Sequence, residues 1–319
     1  MESLSQVLKE LPDALRKQMQ MHDQSQKLLQ HPLIRDWLQE HPELTEDDLR
    51  LSMNKLYQYA KEQHHCSHCP GLARCPNDLQ GHYTRLEVKH YASRPQIIEK
   101  KVSCQKWLSD QAAKRIQSRI HSFYVDEKAL NQGYSTEEIV KRDPQRAEAV
   151  EKVFDYILRT KKEGIMPKGL YLAGDFGTGK TFLMCYMLHE LAKSGYTGAI
   201  VYMPDFIEDI KSMIQEPQKL KETIDLLKET DLLIFDDIGS ENLTPWLRDH
   251  VLGSILNYRM NRKPSFFTSN YRLRSLEKHF SFTSREGEEE HKGKRLMNRI
   301  EPFVEEIIVH GENQRGKLE

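Results

Sequence analysis

The run Gly174-Asp-Phe-Gly-Thr-Gly-Lys180-Thr181 has the spacing G-x-x-x-x-G-K-[ST]. That spacing predicts a phosphate-binding loop between a strand and a helix. Gly174, Gly177 and Gly179 let successive backbone N–H groups converge on phosphate oxygens with no Cβ in the way, and Thr178 completes the loop. The helix that follows aims the positive end of its dipole at the same point. Lys180 is placed to reach the β- and γ-phosphates, and Thr181 to offer a hydroxyl to Mg2+. The expected ligands are ATP and Mg2+.

A second run, Leu232-Leu-Ile-Phe-Asp236-Asp237, reads as a buried parallel strand ending in two carboxylates. Asp236 is expected to hold magnesium, and Asp237 to orient or deprotonate the attacking water. Ser265-Phe-Phe-Thr-Ser-Asn270 reads as a neighbouring strand, with Asn270 set to contact the γ-phosphate or that water. Arg295 and Arg299 are four apart and share a helix face. In ring-forming ATPases an arginine at this point enters the next subunit's site, where it stabilises transition-state charge. Arg299 is the first candidate for that role and Arg295 the second.

A third group is metal-like. Cys66-x₂-Cys69-x₅-Cys75-x₆-His82 offers three thiolates and an imidazole, the donor set of a closed tetrahedral Zn2+ site. His64, His65, His68, His82 and Cys104 compete for the fourth position, with His82 favoured. Cys185 reads as a small core residue.

These residues need elements to position them. From Asp143–Pro144, read as an N-cap followed by a first-turn proline, strands and helices alternate. Strands are expected at 170–173, 199–202, 232–235, 265–268 and 303–309, with helices at about 180–194, 204–229, 245–261 and 285–300. That alternation predicts an α/β fold, a mostly parallel sheet with helices on both faces. Upstream, residues 1–64 read as helices. One opens at Thr45 with Asp48 as a capping box, and Leu49, Met53, Leu56 and Ala60 follow at helical spacing. Residues 64–83 read as a looped knuckle, and 85–104 as strands. The expected division is 1–104 as a helical and zinc-binding domain, 105–142 as a linker and 143–319 as an ATPase domain.

The 319 residues carry 30% charged and 38% hydrophobic side chains and a net charge of -1. No global polycation reaches for nucleic acid, so any DNA contact must come from a local patch or an assembly. No long apolar run predicts a membrane span, and the cytoplasm is the expected location. The clustered cysteines then favour metal over disulfides.

From about Gly169 onward the chain resembles the AAA+ ATPase domain of the helicase loaders of bacterial primosomes. The matching segments are GDFGTGKT, LLIFDDIGSE, SFFTSN and KRLMNRI, with Arg299 at the arginine-finger position, and the ending GENQR. The N-terminal helices and cysteine cluster extend the resemblance to nearly the whole chain. It implies an ATPase with a replicative hexameric DNA helicase, single-stranded DNA and other primosome proteins as partners, and nucleotide-dependent self-assembly. Nine residues follow His310, too few for the helical lid of a typical AAA+ protein, so a switch is expected in place of a motor. Most AAA+ domains carry Glu where this chain has Asp237, one methylene shorter, so slow hydrolysis is expected. In this family the fourth zinc ligand is a histidine following a glycine after the third cysteine, and Gly81-His82 sits there with a spacing that differs by one residue. Rival readings are a transposition helper ATPase, a non-hydrolysing nucleotide-binding adaptor and a small-molecule P-loop kinase.

Overall fold

The computed structural model describes residues 25–91, 94–123, 125, 144–283 and 287–313. The chain divides into two compact units, Met1–Ala113 and Lys114–Glu319.

In the first unit, helix α1 (Pro32–Gln39) begins on a proline, whose missing N–H is no loss in a first turn. Helix α2 (Glu46–Leu51) opens with the expected capping box, Thr45 and Asp48 bonding each other's backbone N–H groups. The single helix foreseen beyond Thr45 is in fact two, because the chain leaves the helical region at Ser52 before α3 (Met53–Ser67). The departure is small (φ -110, ψ 12), so the apolar spacing carries across it. α3 also runs further than foreseen. His64, His65 and Cys66 are helical, and the helix stops ahead of Pro70-Gly71, which cannot continue it.

An antiparallel hairpin follows, β1 (His82–Tyr91) with β2 (Arg94–Ser103), in register from His82↔Ser103 to Tyr91↔Arg94. The helices and hairpin enclose Ile34, Leu56, Ala60, Leu86 and Ile97. Glu62 is fully buried among them. It accepts from the Thr84 N–H at 2.6 Å, Lys101 Nζ at 2.5 Å and Gln58 Nε2 at 2.8 Å. Burial works to raise its pKa, but these donors outweigh burial and hold the carboxyl below its usual range. The division between the units falls inside helix α4 (Gln105–Gln117).

The second unit begins with β3 (Ile120–Phe123), a strand inside the stretch read from sequence as a linker. The expected N-cap Asp143 lies outside the described residues; Pro144–Arg146 forms a 3₁₀ turn leading into α5 (Ala147–Glu163). Then come β4 (Gly169–Ala173), α6 (Lys180–Lys193), β5 (Gly198–Tyr202), α7 (Met203–Ser212), α8 (Pro217–Glu229) and β6 (Leu232–Asp236). A π-helical turn, Leu247–Leu252, leads into α9 (Gly253–Arg259), followed by β7 (Ser265–Ser269), α10 (Leu273–Ser281), α11 (Glu290–Met297) and β8 (Val304–Ile308). The helix foreseen over 204–229 divides at Met213–Gln215, ahead of Pro217, and that foreseen over 285–300 shortens to α11.

Six strands form one parallel sheet in the order β8-β4-β7-β6-β5-β3. Side chains alternate across it as a parallel sheet requires. Leu170, Leu172, Leu232 and Ile234 face one buried layer with α5 and α6. Tyr171, Ala173, Leu233 and Phe235 face the other with α7, α9, α10 and α11. The strands read as continuous apolar runs because both faces are covered. Among the described residues no helix is long and apolar enough to cross a membrane.

Candidate functional site

Strand order decides which side chains meet. β7 lies between β4 and β6, so the carboxyl ends of these three strands are neighbours. Register places Ala173 beside Ser269 and Phe235 beside Phe267. One step further along, Gly174 of the phosphate loop stands beside Asn270 and Asp236 beside Thr268, at the edge where ligands bind in such sheets.

The loop leaves β4 at Gly174 and enters α6 at Lys180. Gly177 holds φ +74, a left-handed backbone that favours glycine, and the Asn313 side chain lies directly against it. Lys180 is buried at the loop's centre and donates to Gly174 O and Asp175 O, each at 2.8 Å, and to Asn270 Oδ1 at 3.0 Å. Asn270 Nδ2 donates in turn to Asp237 Oδ1 at 2.9 Å. A second chain runs beside the first. Thr181 Oγ1 and Thr268 Oγ1 both donate to Asp236 Oδ1, at 2.8 and 2.6 Å, and the Asp237 N–H donates to Thr268 Oγ1 at 2.9 Å. Burial pushes the Asp236 carboxyl above its usual range and the Asp237 charge adds to this, while the two hydroxyls and Lys180 oppose it. Asp237 adopts φ +55, a left-handed backbone that aspartate tolerates better than most residues.

The structure thus brings together Gly174, Gly177, Thr178, Gly179, Lys180, Thr181, Asp236, Asp237 and Asn270. Sequence reading overlooked Thr268, which ties Asp236 to the Asp237 backbone; its position within SFFTSN was the available signal. It also overlooked Arg146, whose Nη1 donates to Thr178 O at 3.5 Å from the start of α5, and Asn313, against Gly177. Arg146 sits in no recognisable motif, whereas Asn313 lies within the ending GENQR, where the resemblance gave it no role.

Arg299 lies elsewhere. It lines a small pocket together with Pro167, Met260, Ser265, Phe303 and Val304, and Ser265 and Val304 are the first residues of β7 and β8. A five-residue strand spans roughly 16 Å, so Arg299 sits at the edge of the sheet away from its own phosphate loop. Burial lowers its pKa and the Arg295 charge lowers it further, with Asp249 opposing. Arg295 is exposed on the same segment.

In the first unit, Cys66, Cys69, Cys75 and Cys104 are free thiols. Burial pushes the Cys66 thiol up, and the nearby Cys69, Cys75 and Cys104 sulfurs add to that against the Asn77 donor. The Gly71 N–H and then Lys106 hold Cys69 below its usual range. His82 has both ring nitrogens engaged, Nδ1 with Gln80 O and Nε2 with Ser103 Oγ, each at 2.9 Å. Among the described residues, no group of three His, Cys, Asp or Glu side chains is placed to hold a metal ion as it stands.

Residues 1–93 match the family described as Primosomal protein DnaI N-terminus, and residues 95–283 match the AFG1-like ATPase family. The replicative helicase loader DnaI of Bacillus subtilis (strain 168) is 35% identical over 300 residues, covering 93% of this chain and 94% of the relative. A crystal structure of DnaI is 32% identical with a TM-score of 0.51, covering 63% of this chain and 100% of that one. A Streptococcus pyogenes serotype M3 protein described as a primosome component is 33% identical with a TM-score of 0.50, covering 64% and 99%.

Proposed function

The chain belongs to the DnaI family of replicative helicase loaders, with its ATPase region in the AFG1-like family, and from that premise we propose that it is an ATP-dependent switch placing a hexameric replicative DNA helicase on single-stranded DNA. The observation that carries this reading is the pair of hydrogen-bond chains at one sheet edge, Lys180–Asn270–Asp237 and Thr181–Asp236–Thr268. An ATPase needs this set of groups: a cation for phosphate charge, a hydroxyl and a carboxylate for Mg2+, and a carboxylate and an amide for water.

In this reading the N–H groups of the phosphate loop and the Lys180 ammonium bind the β- and γ-phosphates of ATP. Thr181 and Asp236 would hold Mg2+, which would supply charge neutralisation for the phosphoryl group. Thr268 fixes Asp236 in place. Asp237, oriented by Asn270, accepts the proton of the attacking water. Arg299, far from its own loop, completes the site of a neighbouring copy, so hydrolysis depends on nucleotide-driven self-assembly. Asp237 reaches less far than glutamate would, and turnover is slow until that assembly forms on helicase or single-stranded DNA.

The first unit is the helicase-docking module of this proposal. A structural Zn2+ would supplement its core; Cys66, Cys69 and Cys75, whose sulfurs each face an N–H donor, and His82 are the residues that would hold it. Other primosome proteins are further partners in this reading, and the work is cytoplasmic.

The test is phosphate release by the full chain with single-stranded DNA and its cognate helicase. Asp237→Asn is expected to lower the rate by ~10²–10⁴ with ATP still bound. Lys180→Ala is expected to weaken ATP binding by about 2–3 kcal/mol, roughly 30–150-fold. Equal rates for wild type and Asp237→Asn would leave a nucleotide-binding adaptor.

A further inference from the structure

Glu241 lies four residues beyond Asp237, in the segment that leaves β6, and its side chain is fully enclosed. Burying a carboxylate is costly unless its oxygens find partners, and here both are used. Oε2 accepts the Gly239 N–H at 2.7 Å, and Oε1 pairs with His279 Nε2 at 3.2 Å. His279 belongs to α10, the helix that follows β7. One carboxylate therefore holds the turn after β6 to the helix after β7.

That turn has a backbone that needs holding. Asp237 has φ +55 and Gly239 φ +99. A left-handed aspartate persists only where its surroundings fix it. On the side next to β7, the Asp237 N–H donates to Thr268 Oγ1 at 2.9 Å and the Ile238 N–H to Thr268 O at 2.9 Å. Ser269 Oγ donates to Ile238 O at 2.5 Å. On the other side, Gly239 packs against the Tyr271 ring and gives its N–H to Glu241.

These contacts close a circuit. Tyr271 follows Asn270 in the chain and stacks on His279, with ring centroids 6.3 Å apart and planes 21° from parallel. The Tyr271 N–H donates to Ser269 Oγ at 3.0 Å, and its carbonyl accepts the Tyr171 hydroxyl at 2.7 Å. Asn270 in turn donates to Asp237 Oδ1. The path runs from Asp237 through Gly239, Glu241, His279, Tyr271 and Asn270 back to Asp237. The segments after β6 and β7 are thus joined twice, at one end by Asn270 and Asp237 and at the other by His279 and Glu241.

We propose that Glu241 and His279 are positioning residues for hydrolysis, which hold the turn after β6 so that Asp237 keeps its left-handed backbone and presents its carboxylate to the attacking water. The proposal rests on the reading of Asp237 as the carboxylate that activates water. Both residues act through Asp237 and leave the phosphate loop, Thr181 and Asp236 to hold the nucleotide. Loss of either lowers turnover and spares ATP affinity.

The experiment measures kcat for ATP hydrolysis by the full chain, with single-stranded DNA and its cognate helicase, and ATP affinity by titration calorimetry. Glu241→Ala is expected to lower kcat about 10–100-fold with ATP affinity unchanged. Glu241→Gln keeps an oxygen for the Gly239 N–H and is expected to recover most of the rate. His279→Ala, on a partly exposed ring, is expected to lower kcat likewise, and it carries the test if Glu241→Ala does not fold. In an Asp237→Asn background either substitution is expected to slow the reaction no further, because residues that act as a unit are not additive. A wild-type kcat in Glu241→Ala or His279→Ala, a loss of ATP affinity in step with kcat, or the full fall repeated on top of Asp237→Asn would overturn the positioning role and leave Asp237 standing. Equal rates for wild type and Asp237→Asn would overturn the reading of Asp237 itself, and this inference with it.

Discussion

The two units are stabilised by different means. The second packs apolar side chains on both faces of a six-stranded sheet, from Leu172 and Ile234 on one side to Phe235 and Phe267 on the other. The first closes around Ile34, Leu56, Ala60, Leu86 and Ile97, with the carboxylate of Glu62 buried among them. The buried apolar set of the first unit is the smaller of the two, and a smaller unit buries a lesser share of its surface. The contrast also falls along the line of function in our reading. The unit that turns over nucleotide needs a rigid frame for hydrogen bonds of 2.6 to 3.0 Å around Asp236 and Lys180, while the unit that docks a partner can be held by a metal and one buried ion pair.

The largest test of this contrast is removal of the zinc proposed for the first unit. Structural zinc contributes on the order of 10–16 kcal/mol in small modules, so chelation or Cys69→Ser is expected to abolish the first unit's transition in calorimetry and leave the second unit's intact. A single transition that vanishes as a whole would break the comparison. Next in size, Arg299→Ala is expected to slow hydrolysis by the assembled protein by ~10³-fold or more, with ATP affinity and both melting transitions unchanged. A variant that hydrolyses normally would show that the site is complete within one chain.

The Lys101→Met variant sharpens the comparison from the other side. It leaves Glu62 buried without its cation, at a cost of about 3–5 kcal/mol, seen as a lower melting point of the first unit alone. The pH dependence has a definite sign. Glu62 has a lowered pKa in the fold, so its contribution is full above the ordinary carboxylate range and is lost as pH falls through the lowered value. The wild-type first unit therefore loses stability in acid, and Lys101→Met flattens that limb. Smallest of all, Thr268→Val keeps the shape of β7 but removes the hydroxyl on Asp236, costing about 1–2 kcal/mol. It is expected to appear as weaker magnesium-dependent ATP binding measured by titration calorimetry, with the fold intact.

The fold and the nucleotide site differ from the rest of the molecule in how much the sequence discloses. The phosphate loop was legible because its chemistry is local. Glycines, lysine and threonine at fixed offsets serve one ligand, and Leu232–Phe235 is apolar throughout because both sheet faces are covered. Thr268 was not legible as a partner of Asp236, because that pairing depends on β7 lying beside β6 in a particular register. β3 was missed for a related reason. Its four residues, Ile-His-Ser-Phe, carry no pattern of their own and become a strand through pairing with β5. The breaks at Ser52 and Met213–Gln215 fall where apolar spacing continues across a brief departure from helix geometry. In the cysteine cluster, spacing along the chain favoured His82. The hydrogen bonds its ring makes with Ser103 and Gln80 exist only once the hairpin has formed.

The measurement that bears most directly on the central claim is the mass, by light scattering on a sizing column, of a mixture of this protein with its cognate hexameric replicative helicase, with and without ATP. A stable complex whose composition responds to ATP, and which loses that response in Lys180→Ala, is the result the loader account predicts. Absence of any complex in every nucleotide state would contradict it.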